Sequence, residues 1–103
     1  MSSATPEQQR AFDQAAKARD AIADIIDRVR TAELDLLGAF AVADADPLAG
    51  RCFAVKVFEV VPDVGKVRAR RTMDELGLAD DVWLRDVPPD TRLAIASVLD
   101  QAT

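Results

Sequence analysis

VPDVGKVRARR, residues 61–71, runs from a turn signal straight into four positive charges, within a chain whose formal net charge is -5. Before it lies the apolar segment RCFAVKVFEVV (51–61); after it the pattern predicts a helix from about Val64 to Leu76. An apolar helix, then Pro-x-Val-Gly, then a helix opening Lys-Val-Arg-Ala is the layout of a helix-hairpin-helix. Its tight turn points successive backbone N–H groups outward at a helix N-terminus, where the helix dipole adds to their attraction for an anion. Such an end attracts phosphate without reading bases. Here Pro62 stiffens the entry, Asp63 and Val64 form the loop, and Gly65 allows close approach of a duplex backbone. Lys66 and Arg68 set charge beside the amides, and Arg70 and Arg71 extend the patch.

On a wheel of about 100° per residue, Ala69, Met73 and Leu76 fall on one side of this helix and the arginines on the other. Arg70 and Arg71 therefore face either a phosphate backbone or, at i,i+4 spacing, Asp74 and Glu75, where each pair contributes only about 0.2–0.5 kcal/mol. Asp63 also has two readings. As an N-cap its carboxylate accepts from the amides near Gly65 and Lys66, the same donors a phosphate would use; otherwise it faces sideways and leaves them free. At the helix end, Gly77 suits the left-handed C′ position, with Leu78 following as its apolar contact.

Outward from the hairpin, the signals are mostly helical. Thr5-Pro6-Glu7-Gln8 has the form of a capping box with proline at the first helical position, and predicts a long helix over about 6–31. Phe12, Ala15, Ala16, Ile22, Ile26 and Val29 recur on it at helical spacing, with Asp13–Lys17 and Asp24–Arg28 as outer-face pairs. LDLLGAFAVA (34–43) starts at Asp35 as N-cap, and DADPLAG reads as a plain connection, since it lacks the third acidic ligand, inner glycine and closing glutamate of a calcium loop. Segment 51–61 is ambiguous by itself, as its β-branched and aromatic residues suit a strand and its spacing suits a helix. After ADDVWLRDVP a last helix opens at Pro89.

Composition narrows the function classes. The 103 residues, half of them hydrophobic, suit one small domain with a modest core. There is one cysteine, Cys52, and no histidine, which leaves no intramolecular disulfide and removes the usual general base and the commonest metal ligand. The sequence thus points away from an enzyme, a cofactor, a metal site or a small-molecule substrate. The opening MSSATPEQQR is not a signal peptide in form, and no apolar run is long enough to span a membrane, so a cytoplasmic location is expected. The acidity opposes nucleic-acid binding in general. However, residues 1–50 carry nine acids against five bases and residues 51–103 nine against eight, so the basic character is local to 66–71.

On these residues the chain resembles the actinobacterial integration host factor family, small nucleoid-associated proteins. The family signature, close to LPGVGKVRAxxxMExLGI, stands here as VPDVGKVRARRTMDELGL (61–78). The pattern extends without a gap from TPEQQRA (5–11) through DRVR (27–30) and VFEVVPDVG (57–65). The resemblance implies an all-α fold: a long N-terminal helix (6–31), then a compact helix-two-turn-helix core of about four short helices (34–103) with its hairpin at 61–65. It resolves the ambiguous segment before the turn as a helix. It also implies weak, salt-sensitive and largely sequence-independent binding of duplex DNA in the nucleoid, with bending, compaction or help in recombination. The implied contacts are Pro62, Asp63, Val64, Gly65, Lys66, Arg68, Arg70 and Arg71, with Arg85 from a second, arginine-rich region matching 82–87.

Two departures from the family bear on this. Asp63 replaces the first hairpin glycine, and Val82 and Trp83 replace arginines, leaving Arg85. Trp83 either packs against the last helix as core or lies at a partner surface. The rival reading is a divergent host- or phage-encoded paralogue that acts through protein contacts near Trp83, as partner or antagonist of a family member, or that mimics DNA with its acidic first helix.

Overall fold

The computed structural model describes residues 5–100. Within them lie helices α1 (Pro6–Arg30), α2 (Leu36–Ala45), α3 (Ala54–Phe58), α4 (Gly65–Glu75) and α5 (Pro89–Leu99), with 3₁₀ turns at Ala49–Arg51 and Leu84–Asp86. The fold is all-α, as expected.

The helix starts are chemically specified. Thr5 Oγ1 accepts from the Gln8 amide at 3.1 Å and Gln8 Oε1 from the Thr5 amide at 3.1 Å, completing the capping box of α1. Asp35 Oδ1 accepts from the Gly38 amide at 2.7 Å at the start of α2. Asp100, at the end of α5, accepts from the Leu36 amide at 2.8 Å, so a second carboxylate serves the same helix start. Its burial raises the Asp100 pKa, against the lowering by the Leu36 amide.

α1 packs only through its C-terminal part, where Ile25 and Val29 are buried; residues 6–15 are exposed. The projecting part accounts for a long axis of 55 Å against 26 and 24 Å. α2 is almost wholly apolar and therefore central, since a helix hydrophobic all round has no face to give to water. It buries Leu36, Ala39, Phe40 and Ala43. The Phe40 ring meets Phe58 of α3 edge-on at 6.1 Å, and Met73 of α4 and Ile95 and Leu99 of α5 join the same core.

The segment before the hairpin is the main difference from expectation. A helix was expected through 51–61, but α3 covers only Ala54–Phe58. Ahead of it the chain is extended at Cys52 and Phe53 and crosses residues 82–84 antiparallel, with Leu84 N–H donating to Cys52 O at 2.7 Å and Ala54 N–H to Val82 O at 2.9 Å. Of the strand-favouring residues only Phe53 makes a bridge; the β-branched Val55 and Val57 lie in α3. Cys52 thus lies in the crossing rather than in a helix. Burial pushes its thiol up to about 11, with Lys56 pulling slightly the other way, so it is a poor nucleophile.

Gly50 is required for space rather than for its backbone angle. A Cβ there would lie 2.7 Å from Ala43 O and 3.0 Å from Arg85 Cδ. The carbonyl belongs to α2 and cannot swing aside as a side chain would. Gly50→Ala is expected to lower stability by about 1–3 kcal/mol, the usual penalty of overpacking, as a reduced urea midpoint with unchanged slope.

Candidate nucleic-acid interface

The hairpin is held from inside and open outside. Val61 and Val64 are buried, anchoring both ends of a turn closed by Val64 N–H to Val61 O at 3.1 Å. Asp63, Gly65 and Lys66 are exposed, and Pro62 is half-buried. Two residues reverse the chain in the left-handed region, Asp63 at φ 68° and Gly65 at φ 75°. For Gly65 this is free of strain, while a side-chain-bearing residue costs roughly 1–2 kcal/mol, eased for aspartate by its short polar side chain. No heavy atom lies within 4 Å of where a Gly65 Cβ would stand, so the backbone faces open space.

Asp63 is not the N-cap. Gly65 is the first residue of α4, so Val64 occupies the cap position and Asp63 lies one residue too early, in a left-handed conformation that an N-cap does not adopt. Among the described residues no side chain accepts from the first turn of α4, and that turn holds no acid. α1 and α2, by contrast, are capped by Thr5 and Asp35. The first-turn amides of α4 therefore retain their capacity to bind an anion, with Lys66 beside them.

The arginines of α4 divide. Arg68 turns inward along the surface: its Nη2 donates at 3.0 Å to the Val98 carbonyl, one of the unpaired acceptors in the last turn of α5. The structure gives it a helix-capping contact that was not foreseen. Arg70 and Arg71 are exposed, and no ion pair among the described residues joins them to Asp74 or Glu75. Gly77, at φ 72°, ends the helix as expected, with the Leu78 amide donating to Met73 O at 2.9 Å and the Gly77 amide to Asp74 O at 3.1 Å.

Arg85 lies apart from the hairpin, beyond the other end of α3. That helix begins at the 52–54 crossing and ends just before the hairpin, a rise of about 7 Å over its five residues. The Arg85 guanidinium carbon lies 5.0 Å from the centre of the Trp83 ring, and that of Arg51 6.0 Å from it. At exposed sites each such contact contributes about 0.5–1 kcal/mol. Trp83 is only half-buried and is bridged to Phe53, so it is not the core residue packed against α5 that one reading expected.

Arg92 fixes this segment from α5. Its Nη2 donates to Arg85 O at 2.7 Å and its Nε to Val87 O at 2.8 Å, while Nη1 and Nη2 grip Asp44 at 2.6 and 3.0 Å. The hydrogen bond from Arg92 holds the Asp44 carboxyl below its ordinary range, against a smaller opposing desolvation. Neither Arg51 nor Arg92 could be singled out from sequence, because their roles depend on contacts made far along the chain.

The geometry defines a small all-α helix-hairpin-helix protein with an uncapped, glycine-turned helix start at its surface. No protein-family model matches the chain. Integration host factor of Mycolicibacterium smegmatis (strain ATCC 700084 / mc(2)155) is 33% identical over 92 residues, covering 89% of this chain and 88% of that protein. Integration host factor of Mycobacterium tuberculosis (strain ATCC 25618 / H37Rv) is 34% identical over 85 residues, covering 82% and 81%. The chain belongs to the integration host factor family. A solved structure of sIHF bound to an 8bp palindromic DNA shares its fold, with a TM-score of 0.77 at 23% identity over 84% of this chain and 98% of that one.

The Arg68 contact predicts a stability effect. Arg68→Ala is expected to cost about 0.5–1.5 kcal/mol, the typical net value of one such hydrogen bond, seen as a lower denaturation midpoint. Arg70→Ala, lacking such a contact, should leave the midpoint within about 0.5 kcal/mol of the parent.

Proposed function

We propose that this chain binds duplex DNA along its phosphate backbone, largely without sequence preference. The observation that carries the reading is the exposed hairpin, whose α4 amides are uncapped and stand beside Lys66. Its support from kinship is that the mycobacterial relatives are integration host factors and that the sIHF of like fold was solved with DNA. Pro62, Asp63, Val64 and Gly65 form the contact loop in this reading. Lys66, Arg70 and Arg71 supply charge around it, Arg85 adds a second contact, and Arg68 braces α4 against α5. The role is architectural, in the nucleoid: compaction, bending or assistance to recombination. Chemistry on the DNA is not part of it, since the chain has no histidine and its one thiol is buried.

A second reading, action through protein contacts, draws on Phe53, 45% exposed beside Trp83, where arginines were expected from the resemblance. Co-purification from a host lysate separates the two: DNA recovered without a protein partner counts against it.

A log–log salt titration on two unrelated duplexes tests the first reading. Each neutralised phosphate contributes a slope of about -0.9, so roughly 2 to 4 contacts give a total of about -2 to -4, similar for both sequences. Absence of binding at low salt would overturn it. Asp63→Gly removes a negative charge at the hairpin tip and is expected to tighten binding a few-fold at low salt, with the gain shrinking as screening increases.

A further inference from the structure

Deepening the second contact that the DNA-binding reading gives to Arg85, we propose that Arg51 joins it there, both braced by the Trp83 ring, and that Arg51 supplies phosphate-binding charge no sequence motif assigns to it. The two guanidinium carbons lie 6.0 and 5.0 Å from the same ring centre, so they are no farther apart than those distances laid end to end. Two planar, permanently charged forks held at one ring suit the oxygens of a nucleic-acid backbone.

Little on the protein neutralises them. Among the described residues Arg51 has no ion-pair partner, and Arg85 has only Asp86 at 3.9 Å, an exposed pair of the kind that contributes little. The surface is also firmly built. The crossing at 52–54 and 82–84 fixes the backbone beneath it, Arg92 holds the Arg85 carbonyl at 2.7 Å, and Gly50 leaves room for the Arg85 stem. Contact with the ring restricts both side chains before any ligand arrives, which lowers the entropy lost on binding.

The neighbouring hairpin favours nucleic acid over an acidic protein as the ligand. The hairpin's uncapped α4 amides and exposed Lys66 suit the same backbone phosphates that the two guanidinium groups would take. Trp83 is then a brace rather than a lost contact: the segment gave up arginines in sequence, and the fold brings Arg51 to its side from thirty residues upstream.

The test uses the whole chain, a mixed-sequence duplex, and Trp83, the single tryptophan, as a built-in reporter. Arg51→Ala is expected to weaken binding about three- to tenfold at low salt and to make the salt slope shallower by about 0.9, one phosphate's share. Arg51→Lys, which keeps charge but loses the planar fork, should fall between the two. DNA should change Trp83 emission in the wild type. Unchanged affinity and slope in both Arg51→Ala and Arg51→Glu, with unchanged Trp83 emission at saturation, would overturn the inference. If Lys66→Ala still weakened binding in that case, the hairpin reading would stand alone; if the wild type bound no duplex, both would fall. Change of Trp83 emission with an acidic protein from the lysate but not with DNA would likewise overturn it.

Discussion

Two backbone hydrogen bonds between residues 52–54 and 82–84 determine where nearly everything else in the core can go. They leave Cys52 and Phe53 extended, so α3 cannot begin before Ala54, and its short length then fixes how far the hairpin stands from the crossing. The same bonds set Trp83 beside Phe53 and bring Arg51 and Arg85 to one ring. Because the paired segments are some thirty residues apart, forming the crossing costs more chain entropy than a local turn. The surrounding burial of Cys52, Ala54 and Leu84 offsets that cost.

From this crossing the proposed surfaces follow by short steps. α3 carries the chain to Val61, whose burial together with Val64 anchors the turn while the residues between them remain at the surface. α4 leaves the turn with its first amides uncapped, and Arg68 ties its side to the end of α5. α5 in turn sends Arg92 back to the carbonyls of Arg85 and Val87, and its terminal Asp100 to the start of α2. The two proposed surfaces therefore belong to one hydrogen-bonded frame.

What could be read from sequence was whatever depends on neighbours in the chain. The capping box at Thr5, the Asp35 cap, the Gly77 terminus and the hairpin itself are signals a few residues long, and each stands as expected. The readings that failed required knowledge of phase or of distant partners. Asp63 looks like a cap until the helix is known to start at Gly65, which moves the cap position to Val64. The Arg68 contact was equally out of reach, as periodicity cannot reveal the Val98 carbonyl at the end of α5. Segment 51–61 held strand and helix signals over the same residues, and resemblance to the family favoured a helix throughout, whereas only Ala54–Phe58 is helical. Arg51 carried no local signal at all.

The acidity of the chain need not oppose phosphate contacts, because the two effects operate over different distances. At physiological ionic strength charges are screened within about 8 Å, whereas at about 0.01 M their reach extends to about 30 Å. The acids of the projecting α1 and the overall charge of -5 therefore repel a duplex mainly during approach in dilute salt. In the proposed complex Lys66 and the uncapped amides of α4 would act at hydrogen-bond range, where intervening ions are few. Net charge should thus slow encounter more than it weakens the bound state, and the distribution of charge along the hairpin and around Trp83 decides what happens on contact.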